Sequence, residues 1–349
     1  MKSSITTILS LCLLLLLAAC SREDIAQPGA LVPMTTDQDD RLAQLNVNGI
    51  PLHLETFGDI SKPIMILLHG GPGMDFRAFI SEKDGAFASR YPSERTEEAL
   101  GISALQEDYF LVVYDRRGSG LSPRFPSGGV TFDHQLSDLK TIIEHFLEMK
   151  NTAQGSQEDQ VYLFGWSFGG YLATAFTNEY PELIKDLILY EARPFNEEVF
   201  QKLSLTSPFA QLTEDYVDAV FTGSTYILNQ DHETADYQWA VGATGDFYPE
   251  FHNPAQMPFW RLGFVVNQEI EAALHAENRD VVSKLDAFQG KTLYLYGSLT
   301  EQDAILPGYL ELVSSYFPDA QATRINNTGH YGPWEEPAQI IEVVSAFLN

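Results

Sequence analysis

The sequence predicts an α/β fold, a mostly parallel sheet flanked by helices with a helical insertion late in the chain. Three observations predict it. Short apolar runs recur at 64–68, 110–114, 161–164, 187–190 and 292–296, with a short sixth at 322–325. Such runs are what strands covered on both faces look like, because neither face can carry polar side chains. Between several of them lie amphipathic stretches. Segment 133–149 places Leu136, Leu139, Ile142, Ile143, Phe146 and Leu147 on one helical face, and 340–348 is another such stretch. Finally, glycine-rich turns follow the runs at 64–68 and 161–164 directly. Strands alternating with helices imply parallel pairing through helical crossovers.

Upstream of these runs, Leu45-Asn46-Val47 and Leu52-His53-Leu54-Glu55 alternate around Asn48-Gly49. That pattern predicts an N-terminal antiparallel hairpin with a tight two-residue turn. Earlier still, Lys2 precedes a short apolar run at 8–19 that ends in Leu17-Ala18-Ala19-Cys20. The run has the length of a signal-peptide core and is too short to span a bilayer comfortably. Its end resembles the lipobox of bacterial lipoproteins. That resemblance implies lipidation of Cys20, export and membrane anchoring, with Ser21 favouring an outer-membrane address. A secretory signal cut elsewhere and a plain membrane anchor are the alternatives. Residues 21–42 are polar, with prolines and an acidic cluster, and read as a flexible tether. The expected organisation is therefore a signal peptide at 1–20, a tether at 21–42, a core at 43–193 and 290–349, and a cap at 194–289. The cap segment is aromatic and acidic without buried-strand runs. A smaller insertion at 81–108 has no readable structure.

The 349-residue chain is 44% hydrophobic, ample for a large core, and its 48 acidic residues exceed its 21 basic ones by 27. That charge repels phosphate backbones and anionic membrane surfaces, which argues against nucleic-acid partners. It serves solubility or attracts cationic substrates. The only cysteines are Cys12 and Cys20, so the body has no intrachain disulfide and no thiolate metal site. No histidine spacing suggests a metal, and no cofactor is implied.

The chemistry centres on Gly165-Trp166-Ser167-Phe168-Gly169-Gly170, between a strand and a helical stretch at 171–178. G-x-S-x-G in that setting is a nucleophile elbow: glycines let the turn close, and the serine projects where N–H groups of a helix start converge. Alone the pattern is weak; between strand and helix it is strong. Directly after the run at 64–68 comes His69-Gly70-Gly71-Pro72-Gly73. An acyl-transfer site needs two N–H donors for the developing oxyanion, one from the residue after the nucleophile and one from an earlier loop. Phe168 and Gly71 fit these positions, with Gly70 beside them. His69 follows an earlier strand and reads as a brace for the loop.

With Asp115-Arg116-Arg117-Gly118-Ser119-Gly120-Leu121-Ser122 after the next run, these motifs resemble the prolyl iminopeptidase branch of the α/β-hydrolases. That family carries HGGPG, D-x-R-G-x-G-x-S and G-x-S-x-G-G in this order. The resemblance spans residues 45–349 and is weakest in the two insertions. HGGPG also occurs in relatives with other activities, so it specifies the fold more tightly than the substrate. The DRRGSGLS run reads as structural.

The catalytic order is Ser, acid, His. The family's acid lies four residues before a proline after the penultimate strand. Asp303 has that spacing to Pro307, in a loop longer than the family's, and Glu301 is the alternative. His330, in Thr328-Gly329-His330 after the last short run, is the candidate base. An aminopeptidase must also bind a protonated α-amine, for which the family uses cap glutamates. Their motif is not found in this cap. Glu191, after the run at 187–190, is a candidate for substrate binding, or else a salt-bridge partner of Arg193. The expected function is a serine hydrolase, either an aminopeptidase releasing N-terminal residues from short peptides or a carboxylesterase or lipase-like ester hydrolase. A non-catalytic surface protein on the same scaffold is the third reading. Partners beyond substrate and lipid anchor, and the oligomeric state, are not legible.

Overall fold

A computed structural model describes residues 27–83, 91–94, 101–206, 232–246, 258–300 and 306–349. Cys20 and the signal-like segment lie outside them. Eight strands form one sheet: β1 (Gln44–Val47), β2 (Ile50–Phe57), β3 (Ile64–Leu68), β4 (Phe110–Tyr114), β5 (Val161–Trp166), β6 (Ile184–Tyr190), β7 (Thr292–Gly297) and β8 (Ala320–Ile325). Their order is β1-β2-β4-β3-β5-β6-β7-β8. β1 and β2 form the expected hairpin, with Asn48 and Gly49 both at positive φ (52° and 82°), as a tight hairpin turn demands. β2 runs antiparallel to β4, and every later pairing is parallel.

The apolar runs of β3 to β7 are largely buried on both faces, whereas β8 buries only Ile325. In β3, Ile64, Ile66 and Leu68 join one core layer, while Met65 and Leu67 join the other. Burying each such side chain contributes roughly 2 kcal/mol. The first layer is covered by α1 (Phe132–Gln154) and α2 (Phe168–Glu179), with Leu139, Ile142, Ile143, Leu172 and Phe176 fully buried. Thr131 caps α1 through its hydroxyl, which accepts from the His134 N–H, and Gly155 ends it in the left-handed conformation. The second layer is covered by 3-10 turns at Phe76–Phe79 and Gly101–Glu107 and by the C-terminal helix Pro337–Leu348.

The described part of the chain between β6 and β7 is helical: α3 (Glu197–Thr206), α4 (His232–Asp246) and α5 (Phe264–Glu277). After β7 come α6 (Tyr309–Ser315), then α7 (Gly332–Glu335) and α8 (Pro337–Leu348). Residues 258–264, expected within the cap, pack into the body instead. Trp260 stacks edge-on to Phe76 at 5.5 Å, Asp75 accepts the Trp260 and Arg261 N–H groups at 2.6 and 2.9 Å, and Gly263 N donates to Gly73 O at 2.6 Å.

The tether expectation is corrected for residues 27–42. Val32 and Leu42 are buried, Thr36 N donates to Leu121 O at 2.8 Å, and the N–H groups of Gly29 and Leu31 donate to the Glu233 carboxylate on α4. A polar composition suggested a solvated linker, but its backbone groups find fixed partners in the body.

One buried pair makes the fold sensitive to alkali. His53 on β2 is fully buried, with Nδ1 2.7 Å from Asp115 Oδ2 and Glu55 at 3.7 Å from Nε2. Burial pulls the imidazolium down, but Asp115 and then Glu55 outweigh it and raise its pKa to about 9. A raised pKa means that this stabilisation is complete below about pH 6.5 and is lost as pH rises through 9. Between pH 6.5 and 9.5 the wild type is expected to lose on the order of 1–3 kcal/mol more than His53→Gln, read from urea midpoints. Asp75, which burial and the Asp115 charge push up to about 7, titrates in the same window in both proteins. Equal losses in the two proteins would remove the pair from this role.

Candidate active site

The strand order reverses between β3 and β5: the chain runs from β3 outward to β4, then returns to the other side for β5. Ligand crevices in open α/β sheets form at the carboxyl ends of strands at such a reversal. The loop His69–Gly73 leaves β3 there, and Ser167 leaves β5.

Ser167 sits between β5 and α2 at φ 55° and ψ −119°, a strained conformation for a residue with a side chain. The turn requires close contact behind it. A Cβ on Gly169 would lie 2.0 Å from Leu68 O. Ser167 Oγ is 2.9 Å from His330 Nε2, as the sequence reading expected of this pair. His330 lies in the loop after β8, and its side chain is 40% exposed.

The partner of His330 Nδ1 is Glu191, at 2.8 Å from Oε2. Glu191 ends β6 with φ 41°, and its N–H donates to Leu295 O on β7 at 2.9 Å. Its carboxylate is buried. Oε1 accepts the Gly297 N–H at 2.8 Å and the Thr300 hydroxyl. Both expectations for Glu191 need correcting. It is 1% exposed with both oxygens occupied, so it is not free to hold a substrate amine. Nor does it pair with Arg193, which instead reaches Glu197 at 3.1 Å and Glu271 at 3.5 Å. Asp303 and Glu301, the expected acids, lie outside the described residues. The order Ser, acid, His is equally met by Ser167, Glu191 and His330. That order, with the strand-end position of Glu191, was the signal that the sequence reading passed over.

The histidine loop is pinned on three sides. Trp166 Nε1 donates to His330 O at 2.6 Å, Tyr190 OH donates to Gly329 O at 2.7 Å, and Glu335 accepts from Gly329 N and Thr328 Oγ1 at 2.8 and 2.7 Å. These bonds fix the imidazole without touching its ring nitrogens.

Phe168 opens α2, where the first N–H groups have no intrahelical acceptor. Gly71 adopts φ 46°, and a Cβ on neighbouring Gly70 would lie 3.3 Å from Ser167 Cβ, so the two candidate donor segments flank the serine. His69 is a brace, fully buried with Nδ1 2.9 Å from Gly70 O. The DRRGSGLS loop is tied down as its composition suggested. Asp115 accepts Phe76 N and Leu121 N, and Arg117 forms a two-pronged pair with Asp138 on α1 at 2.6 Å. Among the described residues no group of three or more His, Cys, Asp or Glu could hold a metal ion, and no helix is long and apolar enough to cross a membrane.

The chain is 24% identical over 322 residues to a proline iminopeptidase, PfmaB, of Pestalotiopsis fici, covering 87% of this chain and 98% of that one. It is 23% identical to a proline iminopeptidase of Thermoplasma volcanium, covering 82% and 89%. In fold it is similar to a thermophilic esterase from Thermogutta terrifontis (TM-score 0.56, 23% identity, 88% and 97% covered). It is also similar to an epoxide hydrolase of Bacillus megaterium (TM-score 0.58, 18% identity, 88% and 100% covered). Residues 63–337 match the family model of the alpha/beta hydrolase fold, and the chain belongs to that family.

Proposed function

We propose that the protein is a serine hydrolase that works through an acyl-enzyme on Ser167. The observation that carries this reading is the continuous chain from Ser167 Oγ through His330 to Glu191, at 2.9 and 2.8 Å. His330 Nε2 takes the hydroxyl proton as Oγ attacks a carbonyl carbon. The N–H groups of Phe168 and Gly71 receive the oxyanion, and Glu191 accepts a hydrogen bond from Nδ1–H and stabilises the imidazolium without taking its proton. His330 then protonates the leaving group. In the second half it takes a proton from water, which attacks the acyl carbon, and returns that proton to Ser167 Oγ as the acyl–oxygen bond breaks.

Similarity to relatives named proline iminopeptidases favours an aminopeptidase that releases N-terminal residues from short peptides. One observation favours the second reading, an esterase: the carboxylate expected to hold the amine, Glu191, is committed to His330 and Gly297. The test is a panel of prolyl, alanyl and leucyl p-nitroanilides, with free and acetylated amines, beside p-nitrophenyl acetate and butyrate. Anilide cleavage that stops on acetylation is the expected result. Rapid ester cleavage with inert anilides would replace it by the esterase reading. Inertness towards every substrate, with no fluorophosphonate labelling of Ser167, would end both.

A further inference from the structure

Arg116 is 1% exposed and has no carboxylate partner within salt-bridge distance among the described residues. Buried arginines are ordinarily paired with acids, because an uncompensated charge in the interior is costly. Here the guanidinium is met by carbonyl dipoles of one short segment. Nη1 donates to His69 O at 2.7 Å, and Nη2 donates to Gly70 O at 3.1 Å and to Gly71 O. On its other side the guanidinium carbon lies 4.9 Å from the centre of the Phe168 ring. Its Nε has no hydrogen-bond partner. The nearby acid in sequence, Asp115, is committed to His53, Phe76 N and Leu121 N. Nor does His69 neutralise it. Burial and the adjacent guanidinium hold His69 well below the usual histidine range, so it is uncharged. His69 Nδ1 lies 2.9 Å from Gly70 O and 3.0 Å from Arg116 Nη2, while Nε2 faces the Arg116 backbone N–H at 3.4 Å.

Two consequences follow. Three successive carbonyls, those of His69, Gly70 and Gly71, are turned towards one cation. The loop therefore cannot rotate a peptide without breaking a charge-assisted hydrogen bond. The charge also lies between the two segments expected to bind an oxyanion, the Gly70–Gly71 loop and the start of α2. A fixed positive charge that is itself out of water acts on negative charge developing beside it with reduced screening.

We propose that Arg116 is a positioning residue for the oxyanion hole, holding the His69–Gly71 peptides with their N–H groups towards Ser167 and adding positive potential where the oxyanion forms. This rests on the serine hydrolase reading above. The arginine of the D-x-R-G-x-G-x-S pattern is Arg117, which is paired with Asp138, so the role falls on a residue that the pattern leaves open.

The test uses the full chain and the variants Arg116→Gln and Arg116→Lys. Four quantities are read: kcat and KM on the best substrate of the panel, the inhibition constant of a boronic acid, and the melting temperature. The boronic acid forms a tetrahedral anion on the serine. Arg116→Gln is expected to lower kcat by ~100-fold with KM within about threefold, the range seen when one oxyanion donor is lost. Boronate affinity should fall by a similar factor. Arg116→Lys, which keeps the charge, should recover at least ~10-fold of both. Unchanged kcat and boronate affinity in a folded Arg116→Gln protein would overturn the proposal. So would a lysine variant no better than glutamine, with both losses following the melting temperature. If Arg116→Gln fails to fold, the lysine variant carries the test: boronate affinity within ~10-fold of wild type is expected, and a larger loss overturns the proposal. Wild-type protein that neither binds boronate nor labels with fluorophosphonate would instead overturn the serine hydrolase reading.

Discussion

Ser167→Ala is expected to lower turnover by at least ~10⁴-fold on any substrate that the wild type hydrolyses, with a melting temperature within about 3 °C of wild type. The two halves of that expectation have separate causes. Oγ is the atom that faces His330 Nε2, so its removal deletes the nucleophile and leaves only whatever the oxyanion donors and binding supply. The backbone at residue 167 is held by bonds that the side chain does not make. Its N–H donates to Tyr190 O at 2.9 Å, and its carbonyl accepts from Gly170 N and Arg193 N, both at 2.9 Å. Alanine meets the same strain at φ 55° as serine, so the elbow persists. Single-turnover and steady-state rates, with thermal melts, check both halves. Near-wild-type turnover would remove Ser167 from the chemistry.

Glu191→Gln is expected to lower kcat by ~10³–10⁴-fold, whereas Asp303→Asn leaves it within about threefold. Glu191 Oε1 faces an obligate donor, the Gly297 N–H, and Oε2 faces His330 Nδ1. A glutamine must keep its oxygen on Gly297, since an NH₂ group there would confront N–H with N–H. Its NH₂ then points at Nδ1, which has to become an acceptor. The imidazole proton moves to Nε2, and the ring can no longer take the serine proton. Kinetics of the two variants in parallel decide between the acids. A collapse in Asp303→Asn with little change in Glu191→Gln would return the role to the loop after β7 and leave Glu191 a structural group.

Much of the fold was readable because its signals are local. A strand buried on both faces has to be apolar throughout, so Ile64–Leu68 and Phe110–Tyr114 match their predicted bounds residue for residue. The strands at β6 and β8 begin earlier than expected, at Ile184 and Ala320, because their first residues include exposed polar ones. Ser167 and His330 were readable because the elbow is a local pattern and the histidine follows the last strand. The partner of His330 was not, since it depends on which strand end a side chain from a distant loop comes to face. Asp303 had spacing in its favour, while Glu191 had only its place at a strand end. The N-terminal segment misled for a related reason. Thr35 and Thr36 are polar yet buried, and nothing local in 27–42 reveals that Glu233, some two hundred residues on, accepts two of its N–H groups.

That segment has a mechanical consequence. Residues 28–36 lie across α4 and the body like a staple. Gly29 and Leu31 hold Glu233, Arg261 donates to Pro33 O at 2.8 Å, and Thr36 is fastened to Leu121. Beneath it, Asp236 of α4 is bolted to Arg124 and Arg261 at 2.9 and 2.7 Å, with no exposure to water. Lifting α4 away from the sheet therefore means either tearing these bonds or carrying the leading end of the chain with it. Load applied upstream of residue 28 meets the Glu233 bonds to α4 first, and reaches the direct bonds of Pro33 and Thr36 to the body only after them.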